Sequence, residues 1–131
     1  MFKKILIVAL FLTLVGGLFL ISTLKTAKAN PLDEFLKQHP TTEEVAKAYK
    51  IAYENPQNVL SKVKCYCGCI KNNGHKNNRD CFVKEDGSFD LMGLNCGLCV
   101  KTALISKQML DEGKSVQEIS DYVDARWGKL N

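Results

Sequence analysis

The sequence predicts a mainly α fold, a small domain of three or four helices around a cysteine-rich loop that carries a short β-hairpin. Two observations carry that prediction. Apolar residues recur at helical spacing in three separate stretches, two of them opened by capping boxes and the third by an asparagine cap. Between the first and second stretches, from Lys64 to Gly93, the helical period disappears and turn-forming residues take over.

Leu32 to Gln38 makes one short amphipathic turn, ended by His39-Pro40. Thr41 and Glu44 are spaced as a capping box for a helix from about Thr42 to Glu54, with Val45, Ala48, Tyr49 and Ala52 along its apolar face. Asn55-Pro56 closes that helix and starts another, with Pro56 at its first position and Val59, Leu60 and Val63 turned inward. In the loop region, Phe82-Val83 can pair with Ser88-Phe89-Asp90 across Glu85-Asp86-Gly87. Asn95 can cap a long helix from about Cys96 to Glu112 that Gly113 terminates, and Ser115 with Glu118 starts a last helix from Val116 to about Trp127. Tyr49, Tyr53, Tyr122 and Trp127 fit the core faces of these helices better than any binding platform.

The chain opens with the layout of an export signal. Lys3 and Lys4 form a basic leader, Ile5 to Ile21 is an unbroken apolar run, and Ala27-Lys28-Ala29 is a small-x-small cleavage site. This predicts a signal peptide over residues 1–29, or an uncleaved anchor if the leader is retained, followed by one domain over residues 30–131 outside the cytoplasm, whether periplasmic, at the cell surface or secreted. Any membrane association comes through the leader alone. The formal charge of +4 arises from 18 basic against 14 acidic residues, and four of the basic ones lie in the leader. The remaining domain is balanced, so it offers no electrostatic footprint for nucleic acid. No Ser-His-Asp set or phosphate-cradling glycine loop stands at useful spacing, so the sequence does not support hydrolase or kinase chemistry.

All six cysteines lie between Cys65 and Cys99. Outside the cytoplasm free thiols oxidise unless they are bonded to one another or held by a metal. Cys65, Cys67 and Cys69 form C-x-C-x-C, a spacing in which immediate neighbours make strained disulfides. Cys96 and Cys99 form C-x-x-C; at a helix start both thiols feel the positive end of the helix dipole, which favours thiolate. Cys81 and His75 lie between the two clusters, whereas His39 has no such neighbours and reads as a surface residue.

Three readings of these thiols compete. In the first, Cys65, Cys67, Cys69, Cys81, Cys96 and Cys99, with His75 as a further ligand, hold one or two soft ions, Cu(I) or zinc, for trafficking, buffering or delivery to an exported metalloprotein. A structural zinc site contributes about 10 to 16 kcal/mol of apparent binding energy in small peptides, against about 2 to 4 for one disulfide, so an ion would dominate the stability. In the second, the cysteines form a disulfide framework and the protein is a structural or interaction domain. In the third, Cys96 and Cys99 are a thiol-disulfide exchange pair, although the βαβ pattern of a thioredoxin-like domain is missing. A mixture of disulfide and metal site is a fourth arrangement, and covalent haem is disfavoured because Val100 stands where C-x-x-C-H needs histidine.

The ordered set Cys65-Tyr66-Cys67-Gly68-Cys69, Gly74-His75, Cys81-Phe82 and Cys96-Gly97-x-Cys99 resembles the PCYCGC-motif family of small exported bacterial proteins. Lys64 stands where that family has its leading proline, and the leader has no cysteine at its cleavage site, unlike the many members that resemble lipoproteins. The resemblance implies a shared cysteine scaffold; it implies no particular activity.

Overall fold

The computed structural model describes residues 29–68 and 73–130. Cys69 and the leader up to residue 28, with the expectations placed on them, lie outside these described residues. Among the described residues no helix is long and apolar enough to cross a membrane.

The fold is mainly helical, as the periodicity predicts. Helix α1 spans Pro31–Gln38, with the Asn30 carboxamide oxygen accepting from the Leu32 amide at 3.0 Å and Leu32 buried beneath it. Helix α2 spans Glu43–Glu54 and buries Ala48, Tyr49, Ile51 and Ala52. Its cap is Thr42 rather than Thr41: the Thr42 hydroxyl accepts from the Val45 amide at 3.4 Å, so helical geometry begins one residue later than the capping-box reading places it.

Asn55 ends α2 in the left-handed conformation at φ 38°. Its side chain then reaches forward, accepting from the Leu60 amide at 3.0 Å and donating to the Ser61 hydroxyl at 2.8 Å. Pro56 consequently opens a 3-10 turn, Pro56–Asn58, and only afterwards does the short helix α3, Val59–Lys62, begin. Val59, Leu60 and Val63 are buried as expected.

In the central loop a 3-10 turn, Arg79–Cys81, leads into the hairpin, which is reduced to one antiparallel bridge between Val83 and Phe89. Flanking bonds run from the Lys84 amide to the Ser88 carbonyl at 2.8 Å and from the Asp90 amide to the Phe82 carbonyl at 2.9 Å. The hairpin is docked by its aromatics. Phe89 stacks on Phe35 of α1 with ring centroids 4.6 Å apart, and Phe82 meets Tyr49 of α2 edge-on at 5.1 Å.

A short helix α4, Met92–Asn95, precedes the long helix α5, Gly97–Asp111. Asn95 therefore closes α4 instead of capping α5; the cap of α5 is Cys96, whose sulfur accepts from the Cys99 amide at 3.4 Å. After Gly113, left-handed at φ 82°, the Ser115 and Glu118 capping box is fully formed and α6 runs Val116–Trp127. Helix α5 is the central element, packed against α2, α3 and α6. Its Val100 and Ala103 share one core with Tyr49, Leu60, Phe82, Ile119 and Val123. Two aromatics depart from the core assignment: Tyr53 and Tyr122 are each 39% exposed, because they fall at the margins of their helices' buried faces.

Candidate metal centre

Three chain segments deliver sulfur atoms to one point. The stretch after α3 brings Cys65 and Cys67, the 3-10 turn brings Cys81, and the first turn of α5 brings Cys99. The four Sγ atoms lie within 4.8 Å of one another. Cys65 Sγ stands 2.9 Å from Cys67, 3.3 Å from Cys81 and 3.9 Å from Cys99, and Cys81 is 3.1 Å from Cys99. These separations all exceed the about 2.05 Å of a disulfide bond. They approach the edge of about 3.8 Å that a tetrahedron requires when its centre-to-sulfur distance is 2.3 Å, the zinc-thiolate value. Among the described residues no disulfide is formed.

The local sequence explains the convergence. Cys65 and Cys67 both turn to the cluster while Tyr66 between them turns to α6. There its hydroxyl donates to the Asp124 carboxylate at 2.7 Å, and Lys64 pairs with the other oxygen of Asp124 at 3.4 Å. Gly68, at φ 80°, occupies the left-handed region that disfavours a side chain.

Asn78 joins all three sulfur-bearing segments. Its backbone amide donates to the Val63 carbonyl at 2.8 Å, its carbonyl accepts from the Cys81 amide at 3.3 Å, and its side-chain amide donates to the Cys99 carbonyl at 3.3 Å. The residue is fully buried. In the sequence nothing local distinguishes it from Asn77 beside it; the signal is tertiary.

Cys65, Cys81 and Cys99 are buried, whereas Cys67 and Cys96 are partly exposed. Hydrogen bonds from the Cys81 and Cys99 thiols hold Cys65 far below the ordinary thiol range, as a thiolate. The same bond to Cys65 is the main cause that holds Cys81, and likewise Cys99, protonated. Like charges at this range cannot all ionise without a cation among them. A soft cation would take the place of the shared protons and satisfy all four sulfurs.

Cys96 lies against the quartet without belonging to it. Its thiol is lowered to about 6, chiefly by its hydrogen bond with the Cys99 side chain, with the Cys99 amide and the Cys67 side chain adding to the effect. His75 is buried, and its Nε2 faces the Asp90 carboxylate at 3.4 Å. Asp90 also accepts from the Met92 amide at 2.7 Å, meets Lys84 at 3.4 Å, and takes the Tyr49 hydroxyl on its backbone carbonyl. The structure therefore unites four of the sequence-predicted ligands, places Cys96 at their margin, and sets His75 into a separate polar anchor of the loop.

A helical domain organised around a largely buried cysteine quartet is the class that fold and site define. The family model for proteins of unknown function with a PCYCGC motif matches residues 22–130, and the chain belongs to that family. No curated protein and no solved structure matches the chain.

Proposed function

We propose that this is an exported metal-binding protein that holds a soft ion, Cu(I) or zinc, on Cys65, Cys67, Cys81 and Cys99, and that it serves metal trafficking or buffering outside the cytoplasm. The observation that carries this reading is the convergence of four Sγ atoms, all within 4.8 Å of one another, from three separate segments. Disulfide staples would separate the sulfurs into pairs; a shared centre is what a coordinated ion needs. Thiolate ligands select soft ions over calcium or magnesium, which require oxygen. The export signal supports an extracytoplasmic role, in which an exported metalloprotein is the natural recipient of the ion.

The test is elemental analysis with a free-thiol count on the protein purified anaerobically from its own compartment, for the native chain and for Cys81→Ser. Stoichiometric copper or zinc in the native protein, lost in the variant, supports the reading. Absence of metal together with oxidised cysteines would replace it by the disulfide framework.

One observation favours a second reading, thiol-disulfide exchange through Cys96 and Cys99: Cys96 is partly exposed and its thiol is lowered to about 6. Burial of Cys99 within the quartet counts against it, since the resolving thiol must also reach the attacked sulfur. Dithiol oxidase or reductase activity that persists in metal-free protein and vanishes in Cys96→Ser would favour exchange.

A further inference from the structure

Among the described residues five cysteines gather where four of them could hold an ion. Cys65, Cys81 and Cys99 form a buried floor, with separations of 3.3, 3.1 and 3.9 Å. Cys67 completes the quartet from a partly exposed position, and Cys96 borders it from another, its sulfur accepting from the Cys99 amide at 3.4 Å. The helix itself does not explain Cys96. Serine, threonine, asparagine and aspartate are the favoured N-caps, and cysteine is not among them.

We propose that the Cys67–Cys96 edge is the exchange port of the metal centre, through which a soft ion passes to and from a partner that presents its own thiolate or thioether. The proposal rests on the metal-binding reading and adds a route to it. During delivery, a bond forms between the partner's sulfur and the ion while the bond from Cys67 to the ion breaks. A bond from Cys96 to the ion then forms as the bond from Cys99 to the ion breaks, so the ion keeps four sulfurs while the buried ligands release it in turn. No electron is transferred, and the proton lost by an incoming thiol is taken up by a departing cysteine. The buried floor makes this the open side, because neither Cys65, Cys81 nor Cys99 presents its sulfur to solvent.

The experiment compares zinc-loaded native protein with zinc-loaded Cys96→Ser, following transfer of zinc to an excess of a chromogenic thiol chelator by stopped flow. Serine preserves the α5 cap, and circular dichroism of both proteins checks the fold. The expected result is one zinc per chain at equal affinity in both, with transfer slowed about tenfold or more in the variant, a barrier increase of about 1.4 kcal/mol. An unchanged transfer rate overturns the port while leaving the binding reading intact. Lowered zinc content or affinity in Cys96→Ser also overturns it, since Cys96 would then be a resident ligand. Failure of the native protein to hold zinc or Cu(I) at all defeats the metal-binding reading, and the port with it.

Discussion

The side-chain amide of Asn78 donates to the carbonyl of Cys99 at 3.3 Å, and through this bond the loop is fixed to the first turn of α5. Because the Asn78 backbone also holds Val63 and Cys81, one residue sets the spacing of the segments that carry Cys65, Cys81 and Cys99. Outer residues of this kind orient metal ligands without touching the ion, and their loss commonly costs 10- to 100-fold in affinity.

Asn78→Ala removes the side-chain bond and keeps both backbone bonds. Metal affinity should fall by about tenfold or more, and the metal-free protein should lose about 1 to 3 kcal/mol of stability. Competition with a chelator of known affinity measures the first, and urea unfolding the second. Unaltered affinity alongside lowered stability would restrict Asn78 to a fold role.

His75→Gln tests the separation between the sulfur quartet and the polar anchor. His75 faces Asp90 at 3.4 Å, and Asp90 in turn holds Lys84 and the start of α4. The variant should keep full metal stoichiometry and lose about 1 kcal/mol of stability through the weakened anchor. Elemental analysis of the anaerobically purified variant decides: a marked fall in metal content would return His75 to the ligand set.

Acid should release the ion. Thiol ligands bind a metal only as thiolates, so each proton regained competes with the ion, and affinity falls as pH falls. With four sulfurs in the quartet, the loss should be steep, with more than one proton taken up per ion released. Following bound metal against pH, with proton uptake measured in parallel, gives the slope; a flat profile would sink the thiolate centre.

Gly93→Ala probes how tightly the Cys81 segment is seated. A Cβ at Gly93 would stand 2.4 Å from the Phe82 ring and 2.9 Å from the Cys81 carbonyl oxygen. Phe82 is fully buried against Tyr49, so its ring has little room to yield. The variant should lose about 1 to 3 kcal/mol in thermal or urea unfolding. Native-like stability would mean that the loop shifts freely there.

The helices were legible because each advertises itself locally. Ser115 and Glu118 cap α6 as their spacing predicts, and the apolar period of α2 finds Ala48, Tyr49 and Ala52 buried. Start positions were less legible where two neighbours compete for the same cap, as Thr41 does with Thr42 and Asn95 with Cys96. The site was half legible: composition pointed to the sulfurs, and the loop's turn chemistry hid their supports. Asn78, Asp90 and Gly93 act through partners distant in the sequence, Cys99, Tyr49 and Phe82 among them, and no local pattern marks such contacts.

Tyr66 gives a prediction in which pH is the lever. Burial, and then its hydrogen bond to the Asp124 carboxylate at 2.7 Å, push the Tyr66 hydroxyl up to about 12. A group whose folded value is raised contributes stability while it stays protonated. The contribution should therefore be complete below the unfolded value of about 10 and fade as pH rises from there through about 12. Lys64, paired with the same carboxylate, is largely exposed and adds little of its own. Tyr66→Phe should cost about 1 kcal/mol at neutral pH and progressively less above pH 10, so the native and variant unfolding curves converge at high pH. Since Tyr66 stands between Cys65 and Cys67, the same variant should also loosen the quartet and weaken metal binding at neutral pH. Equal unfolding free energies for the two proteins at pH 7 would show that the Asp124 bond does not hold the C-x-C segment against α6.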